Sequence, residues 1–270
     1  MQIKTFQRII WSYYKHNKRD LPWRNSNDPY KIYVSEIMLQ QTQVSRVINK
    51  YPEFIRAFPT FKKLAQAELK DILFMWQGMG YNRRARFMKE TAKILVRDFS
   101  GIVPNDSNVL KKLPGIGSGT AGSLVAFIYN KPVIFIETNI RRVMIHHFFK
   151  NENNISDKEI LSLVSKTIDL ENPREWYYAL MDYGSMLPKQ EKTNANRKSN
   201  NYVKQNAFRG STREIRGLII KFLINNETGT ARMIAKTYKK DETTIKLILE
   251  TMKYENILER VGVSYRISQK

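Results

Sequence analysis

Apolar residues recur at helical spacing over residues 5–17, with Phe6, Ile9, Ile10 and Tyr13 on one side, and predict an amphipathic helix. Asp28-Pro29 reads as an N-cap followed by a first-turn proline. The helix it opens runs over residues 30–49, with an apolar stripe through Val34, Ile37, Val44 and Ile48. Position 41 lies on that stripe yet carries glutamine, which asks for a reason. Two further helices, over residues 61–77 and 82–99, flank Gly78-Met79-Gly80-Tyr81. Past residue 110 a Pro-Gly-x-Gly turn joins two apolar helical stretches, and residues 141–149, 157–167 and 174–187 continue the pattern. No segment before Gly210 alternates as a strand, so the main body is expected to be nearly all α. Residues 188–210 lack an apolar face and read as a basic linker or loosely packed strap. Helices over 213–225, 230–238 and 242–254 follow, then a two-strand hairpin turning at Gly262. Three helices and a β-wing suggest a winged helix over residues 211–270.

The turn Lys112-Leu113-Pro114-Gly115-Ile116-Gly117-Ser118-Gly119-Thr120-Ala121 is the stretch around which the rest is organised. Proline stops the first helix, and the glycines let bare backbone face outward. The second helix then starts with N–H groups and a positive dipole end that suit a phosphate, although a helix–turn–helix connection without any ligand fits the same residues. Shortly after, Phe135-Ile136-Glu137-Thr138-Asn139-Ile140-Arg141-Arg142 brings an acid, an amide and two arginines to the end of an apolar run. Earlier, Glu36 lies in the apolar segment Val34-Ser35-Glu36-Ile37-Met38-Leu39. Partial burial raises a carboxyl pKa and suits a general acid, whereas a lone helix glutamate is more often simply solvated. Gln40-Gln41-Thr42-Gln43 follow, amides suited to a flat, hydrogen-bonding surface such as a base stack.

Composition narrows the partners. The formal net charge is +21, with a pI near 10.0, which favours a polyanion and above all nucleic acid. The excess is spread, with +11 in residues 1–187, +5 in 188–210 and +5 beyond. Cysteine is absent and only three histidines occur, so disulfides, thiolate metal sites and thiol nucleophiles are excluded and no metal site is expected. No apolar run is long enough to span a membrane and no leader opens the chain. A soluble intracellular protein is expected, cytoplasmic and nucleoid-associated or nuclear, acting as a monomer.

Leu21-Pro22-Trp23-Arg24, Val34 through Val44, Gly78-Met79-Gly80-Tyr81 with Arg84-Ala85-Arg86, and the Leu113–Ala121 hairpin occur in one order. In this the chain closely resembles the A/G-specific adenine DNA glycosylases of the helix-hairpin-helix (endonuclease III-like) superfamily, over about residues 5–187. The resemblance implies a mainly α, two-lobed glycosylase core over residues 1–187, followed by the linker 188–210 and the winged-helix-like domain 211–270. It implies an enzyme of base excision repair that flips a nucleotide from a mismatched duplex and hydrolyses its N-glycosidic bond. Adenine leaves easily only when protonated, and the sugar passes through an oxocarbenium-like state, so one acid must donate and one carboxylate must face the developing charge. Glu36 occupies the family's acid position, Glu137 the second carboxylate's and Asn139 that of a helper amide. Gln41 and Tyr81 match residues that wedge into the duplex, and Trp23 and Arg24 match positions lining the base pocket. Gly115, Gly117, Ser118, Gly119 and Thr120 would hold the DNA backbone through main-chain N–H groups, with room for a monovalent cation on the turn's carbonyls.

Four departures stand out. The family carries aspartate and then glycine where this chain has Glu137 and Thr138, and the extra methylene moves a carboxylate by about 1.5 Å, a shift of an order that costs ~10²-fold in rate. Gly119 stands where lyases of the superfamily place a Schiff-base lysine, which leaves a monofunctional, water-using glycosylase. The loop that would hold an iron–sulfur cluster has no cysteine, so no cluster is expected and the basic strip from Lys189 takes its place. The domain that inspects the opposite 8-oxoguanine is replaced by the winged helix. Excision of adenine opposite G or 8-oxoguanine is the leading reading. The alternatives are a T/U mismatch glycosylase, a catalytically weak mismatch-binding protein and a winged-helix transcription regulator.

Overall fold

The computed structural model describes residues 1–205 and 207–269. The chain forms α1 (Ile3–Asn17), α2 (Pro29–Leu39), α3 (Val44–Ala57), α4 (Phe61–Gln66), α5 (Leu69–Met75), α6 (Arg83–Asp98), α7 (Ser107–Leu110), α8 (Ser118–Tyr129), α9 (Thr138–Phe148), α10 (Asp157–Thr167) and α11 (Pro173–Gln190). A 3-10 turn (Ala195–Lys198), α12 (Thr212–Asn226), α13 (Ala231–Tyr238), α14 (Glu242–Tyr254), β1 (Leu258–Val261) and β2 (Ser264–Ile267) follow. They gather into two units, one of residues 1–32, 104–112 and 116–204, the other of residues 33–103, 113–115 and 205–270.

In the first unit α11 packs on α9 and α1. Phe6, Ile10 and Tyr14 of α1 are buried with Trp176, Tyr177 and Leu180 of α11 and with Val143 and Met144 of α9. Burying each such side chain contributes about 1.5–3 kcal/mol, and edge-to-face ring contacts of Phe6 with His147 (5.2 Å) and Trp176 (6.0 Å) orient the packing. Two helix starts carry caps that the sequence shows. Ser156 and Glu159 form a reciprocal capping box at α10, and Asp28 Oδ1 accepts from Tyr30 N at 2.9 Å at the start of α2. The basic strip after α11 is anchored in part: Asn196 is buried and Ile155 pairs with Ser199.

In the second unit α4 and α5 pack on α6, over Phe54, Leu64, Trp76, Met88 and Leu95. Its C-terminal part closes over Ile219, Leu223, Ile245, Leu249 and Ile257. The hairpin pairs Leu258 with Ile267 and Val261 with Ser264, and Gly229 adds a further rung to Tyr265. Among the described residues no helix is long and apolar enough to cross a membrane.

Two expected helices are divided. Residues 61–77 form α4 and α5, with extended backbone at Ala67 and Glu68. Residues 30–49 form α2 and α3, with Gln41 between them in the left-handed region at φ 52°. Gln41 is therefore exposed on a turn, not a polar intruder on an apolar stripe.

Candidate functional site

What breaks the helix at Gln40–Gln43 is one side chain from α6. Arg84 is buried, and its Nη1 donates to the carbonyls of Ile37 (3.0 Å), Met38 (2.9 Å) and Gln40 (2.6 Å). Its Nη2 donates to Thr42 Oγ1 (2.9 Å) and to the carbonyls of Met79 (3.0 Å) and Gly80 (3.1 Å). One planar guanidinium thus satisfies carbonyls that a continuing helix would have bonded, and ties that turn to the Gly78–Tyr81 turn. Both turns need positive φ: Gln41 at 52°, Gly78 at 84°, Gly80 at 68° and Tyr81 at 47°. Burial pulls the Arg84 pKa down to about 10, which leaves it charged at neutral pH. Lysine cannot supply the same fork. Arg84→Lys is expected to lose about 2 kcal/mol or more, since several buried carbonyls go unsatisfied; a urea midpoint equal to wild type would contradict this. Glu36 is half-buried on α2, flanked by the buried Ser35 and Ile37.

In the first unit Glu137 is the N-cap of α9. Its Oε1 accepts from Asn139 N (2.7 Å) and Ile140 N (2.8 Å), and its Oε2 from Asn139 Nδ2 (3.2 Å). Burial pushes its carboxyl pKa up, against the pull of these donors and of Arg142. Arg142 Nη1 donates to Asn139 Oδ1 and to the Gly184 carbonyl, each at 2.7 Å, so the amide of Asn139 is fixed from both ends. A β-carbon on Gly184 would stand 2.6 Å from the Asn139 carbonyl oxygen, which is why α11 carries glycine there. Asn196 Nδ2 donates to the Thr138 carbonyl at 3.0 Å, so the strip after α11 braces the residue that follows Glu137.

The hairpin residues lie where the sequence puts them. Gly115 has φ 75°, and a β-carbon there would touch the Phe87 ring. Gly117 is the N-cap of α8 with no side-chain cap, and Gly117 and Ser118 are exposed, with Gly119 and Thr120 half-exposed behind them. Two carbonyls of the turn are already engaged: Pro114 O accepts from Thr91 Oγ1 (2.9 Å) and Gly115 O from Gln40 Nε2 (3.1 Å). The β-carbon position of Gly119 is not open space, because the Ile136 carbonyl oxygen lies 2.9 Å from it. Gly119→Lys is expected to cost about 1–3 kcal/mol of stability and to give no borohydride-trapped DNA adduct. A stable variant that traps DNA would show that lysine fits there.

Trp23 is buried, and Arg24 turns its side chain inward. Arg24 grips Asp182 with two bonds of 2.8 Å and stacks 4.4 Å from the centre of the Tyr178 ring, with a side chain only 3% exposed. Asp182 also accepts from Arg19 N (3.0 Å) and Arg19 Nε (2.5 Å). Its grip on the Leu21–Arg24 segment had no signal in the sequence beyond an acid in an aromatic helix. Arg142 was legible only as one of two arginines after Asn139.

The family described as HhH-GPD superfamily base excision DNA repair protein matches residues 34–169, half of the chain, including Glu36, Gln41, Tyr81, the hairpin, Glu137 and Asn139. The chain belongs to this family. An adenine DNA glycosylase of Buchnera aphidicola subsp. Baizongia pistaciae (strain Bp) is 41% identical over 192 residues, which cover 69% of this chain and 54% of that protein. One from Mycobacterium tuberculosis is 42% identical over 136 residues, 50% of this chain and 45% of that protein. This chain thus spans about half the length of the curated relatives it matches. A solved thermostable thymine-DNA glycosylase superposes with a TM-score of 0.63 at 26% identity, covering 73% of this chain and 94% of its own. The donor set does not fit the iron–sulfur cluster that the resemblance implies, since the chain has no cysteine. Among the described residues, no three His, Asp or Glu side chains cluster as a metal site.

Proposed function

We propose that the chain is a monofunctional DNA glycosylase that removes adenine opposite G or 8-oxoguanine from double-stranded DNA. The observation that carries this reading is the carboxyl of Glu137, held by two main-chain N–H groups at a helix start. An anion fixed in advance in a dehydrated setting is what a cationic sugar transition state needs, because nothing has to reorganise as charge develops. Glu36 is the general acid for the departing adenine, and Asn139, held by Arg142, orients the Glu137 carboxyl and the attacking water. Gln41 and Tyr81, on turns braced by Arg84, fill the stack that the extruded nucleotide leaves. The hairpin at Gly115–Thr120 takes a phosphate, with a monovalent cation beside it on the turn's carbonyls. Gly119 offers no amine, so water completes the reaction and no imine forms. Residues 212–267 form a winged helix in this reading, and the enzyme works as a monomer wherever the genome lies.

The likeness to relatives named adenine DNA glycosylase supports adenine as the base excised. The superposition on a thymine-DNA glycosylase favours a second reading, removal of T or U opposite G. End-labelled duplexes carrying A·8-oxoG, A·G, T·G or U·G, treated with protein and then hot alkali, separate them. Breaks at A are expected, and breaks confined to T or U would establish the second reading. Mismatch binding without breaks would reduce the chain to a recognition protein. Binding is also expected to weaken steeply with salt, as several Lys and Arg side chains neutralise phosphates; affinity unchanged between low and moderate salt would count against the basic surface.

A further inference from the structure

Within the second unit, Tyr81 is tied down by its tip. It lies half-exposed on its turn, in the left-handed region at φ 47°. Its phenol oxygen accepts from Arg213 Nη1 at 3.0 Å and from Gln205 Nε2. The Arg213 guanidinium lies 5.1 Å from the centre of the ring, and that of Arg84 5.7 Å. Both hydroxyl donors come from far along the chain. Gln205 is exposed on the segment before α12, and Arg213 stands in the first turn of α12. Two donors fill the lone pairs of one phenol oxygen. A side chain that enters a base stack leads with its tip, and here the tip is bonded to protein donors. The ring in this arrangement is stowed.

We propose that Arg213 and Gln205 latch Tyr81 by its hydroxyl, and that a backbone phosphate of an incoming duplex takes Arg213 and frees the ring to enter the stack. The proposal rests on the wedge role given to Tyr81 in the glycosylase reading and adds the step that releases the wedge. The contact is suited to exchange. A guanidinium pairs with a phosphate through two parallel hydrogen bonds to a full anion, whereas the phenol offers it one neutral oxygen. Arg213 also stands at the positive end of the α12 dipole, which favours an arriving anion and disfavours an uncompensated cation. Insertion then waits for a phosphate at the start of α12, and a duplex that touches the Tyr81 turn alone meets a stowed ring.

The test uses the full chain as wild type, Tyr81→Phe, Tyr81→Ala, Arg213→Ala and the double variant Tyr81→Phe with Arg213→Ala. The duplex carries adenine opposite guanine with 2-aminopurine beside the pair, whose fluorescence rise in stopped flow reads entry into the stack. Equilibrium binding is titrated over a range of salt, and adenine release is quantified in parallel. Tyr81→Phe keeps the ring and lacks the latched oxygen. It should enter the stack faster and bind tighter than wild type by about threefold or more, the scale of one or two hydrogen bonds, with the same dependence on salt. Arg213→Ala loses the phosphate partner, so the slope of log K against log salt should become shallower by about 0.9. In that background Tyr81→Phe should gain less than it gains alone, because half the latch is already gone. Tyr81→Ala should lose the fluorescence rise, since no ring enters. Stack entry by Tyr81→Phe that equals or trails wild type would overturn the latch, as would an unchanged salt slope in Arg213→Ala or a full rise in Tyr81→Ala. If wild type releases no adenine while Tyr81→Phe shows its gain and Arg213→Ala its shallower slope, the glycosylase reading fails and the latch stands.

Discussion

Glu36→Gln is expected to reduce adenine excision by about 10²–10⁴-fold, the range a positioned general acid contributes, while duplex binding persists. Glutamine keeps the shape and polarity of the side chain on α2 but has no proton to give to the departing base. The fold should tolerate this near-isosteric change at a half-buried position of α2. Single-turnover excision and a binding titration on the same preparation check this. Excision within a few fold of wild type would remove Glu36 as the acid.

Glu137→Gln is the second large effect. The neutral amide can still cap α9 through its oxygen, so structure is expected to hold while the anion is lost. Removing one preorganised electrostatic contact costs about 10²–10³-fold. Aspartate keeps the charge and is itself a favoured N-cap residue, so Glu137→Asp should stay at least about tenfold more active than Glu137→Gln. The pH profile sharpens the test. Burial pushes the Glu137 carboxyl up, so falling pH protonates it sooner than an unperturbed glutamate, whose pKa is about 4.3. Wild-type kcat should therefore fall on an acid limb above that value, and Glu137→Gln should lack that limb. A profile that keeps the same acid limb in Glu137→Gln would assign it to another group.

Local chemistry made much of the fold readable. Asp28-Pro29 at the start of α2 carries its own cap, and so does Ser156 with Glu159 at α10, so those helices begin where residue types alone place them. Long-range effects were not readable. No glycine or proline marks the break at Gln40–Gln43, which arises because Arg84, more than forty residues on, claims the carbonyls that a helix needs. At Gly119 the β-carbon position meets the carbonyl of Ile136, a main-chain contact that sequence does not advertise. Glu137 was legible as an acid beyond the hairpin but not as a cap, since N-caps favour shorter side chains. Nothing in the basic pattern of residues 211–270 pointed to Tyr81, which Arg213 nevertheless meets.

The proposed reaction is hydrolytic removal of adenine by this chain without a lysine nucleophile. The direct measurement is chromatographic quantitation of free adenine released from an A·8-oxoG duplex under single turnover, with a parallel borohydride incubation. Stoichiometric adenine, an alkali-labile abasic strand and no covalent protein–DNA band are the expected result. A duplex that keeps its adenine, or a trapped covalent band, would contradict it.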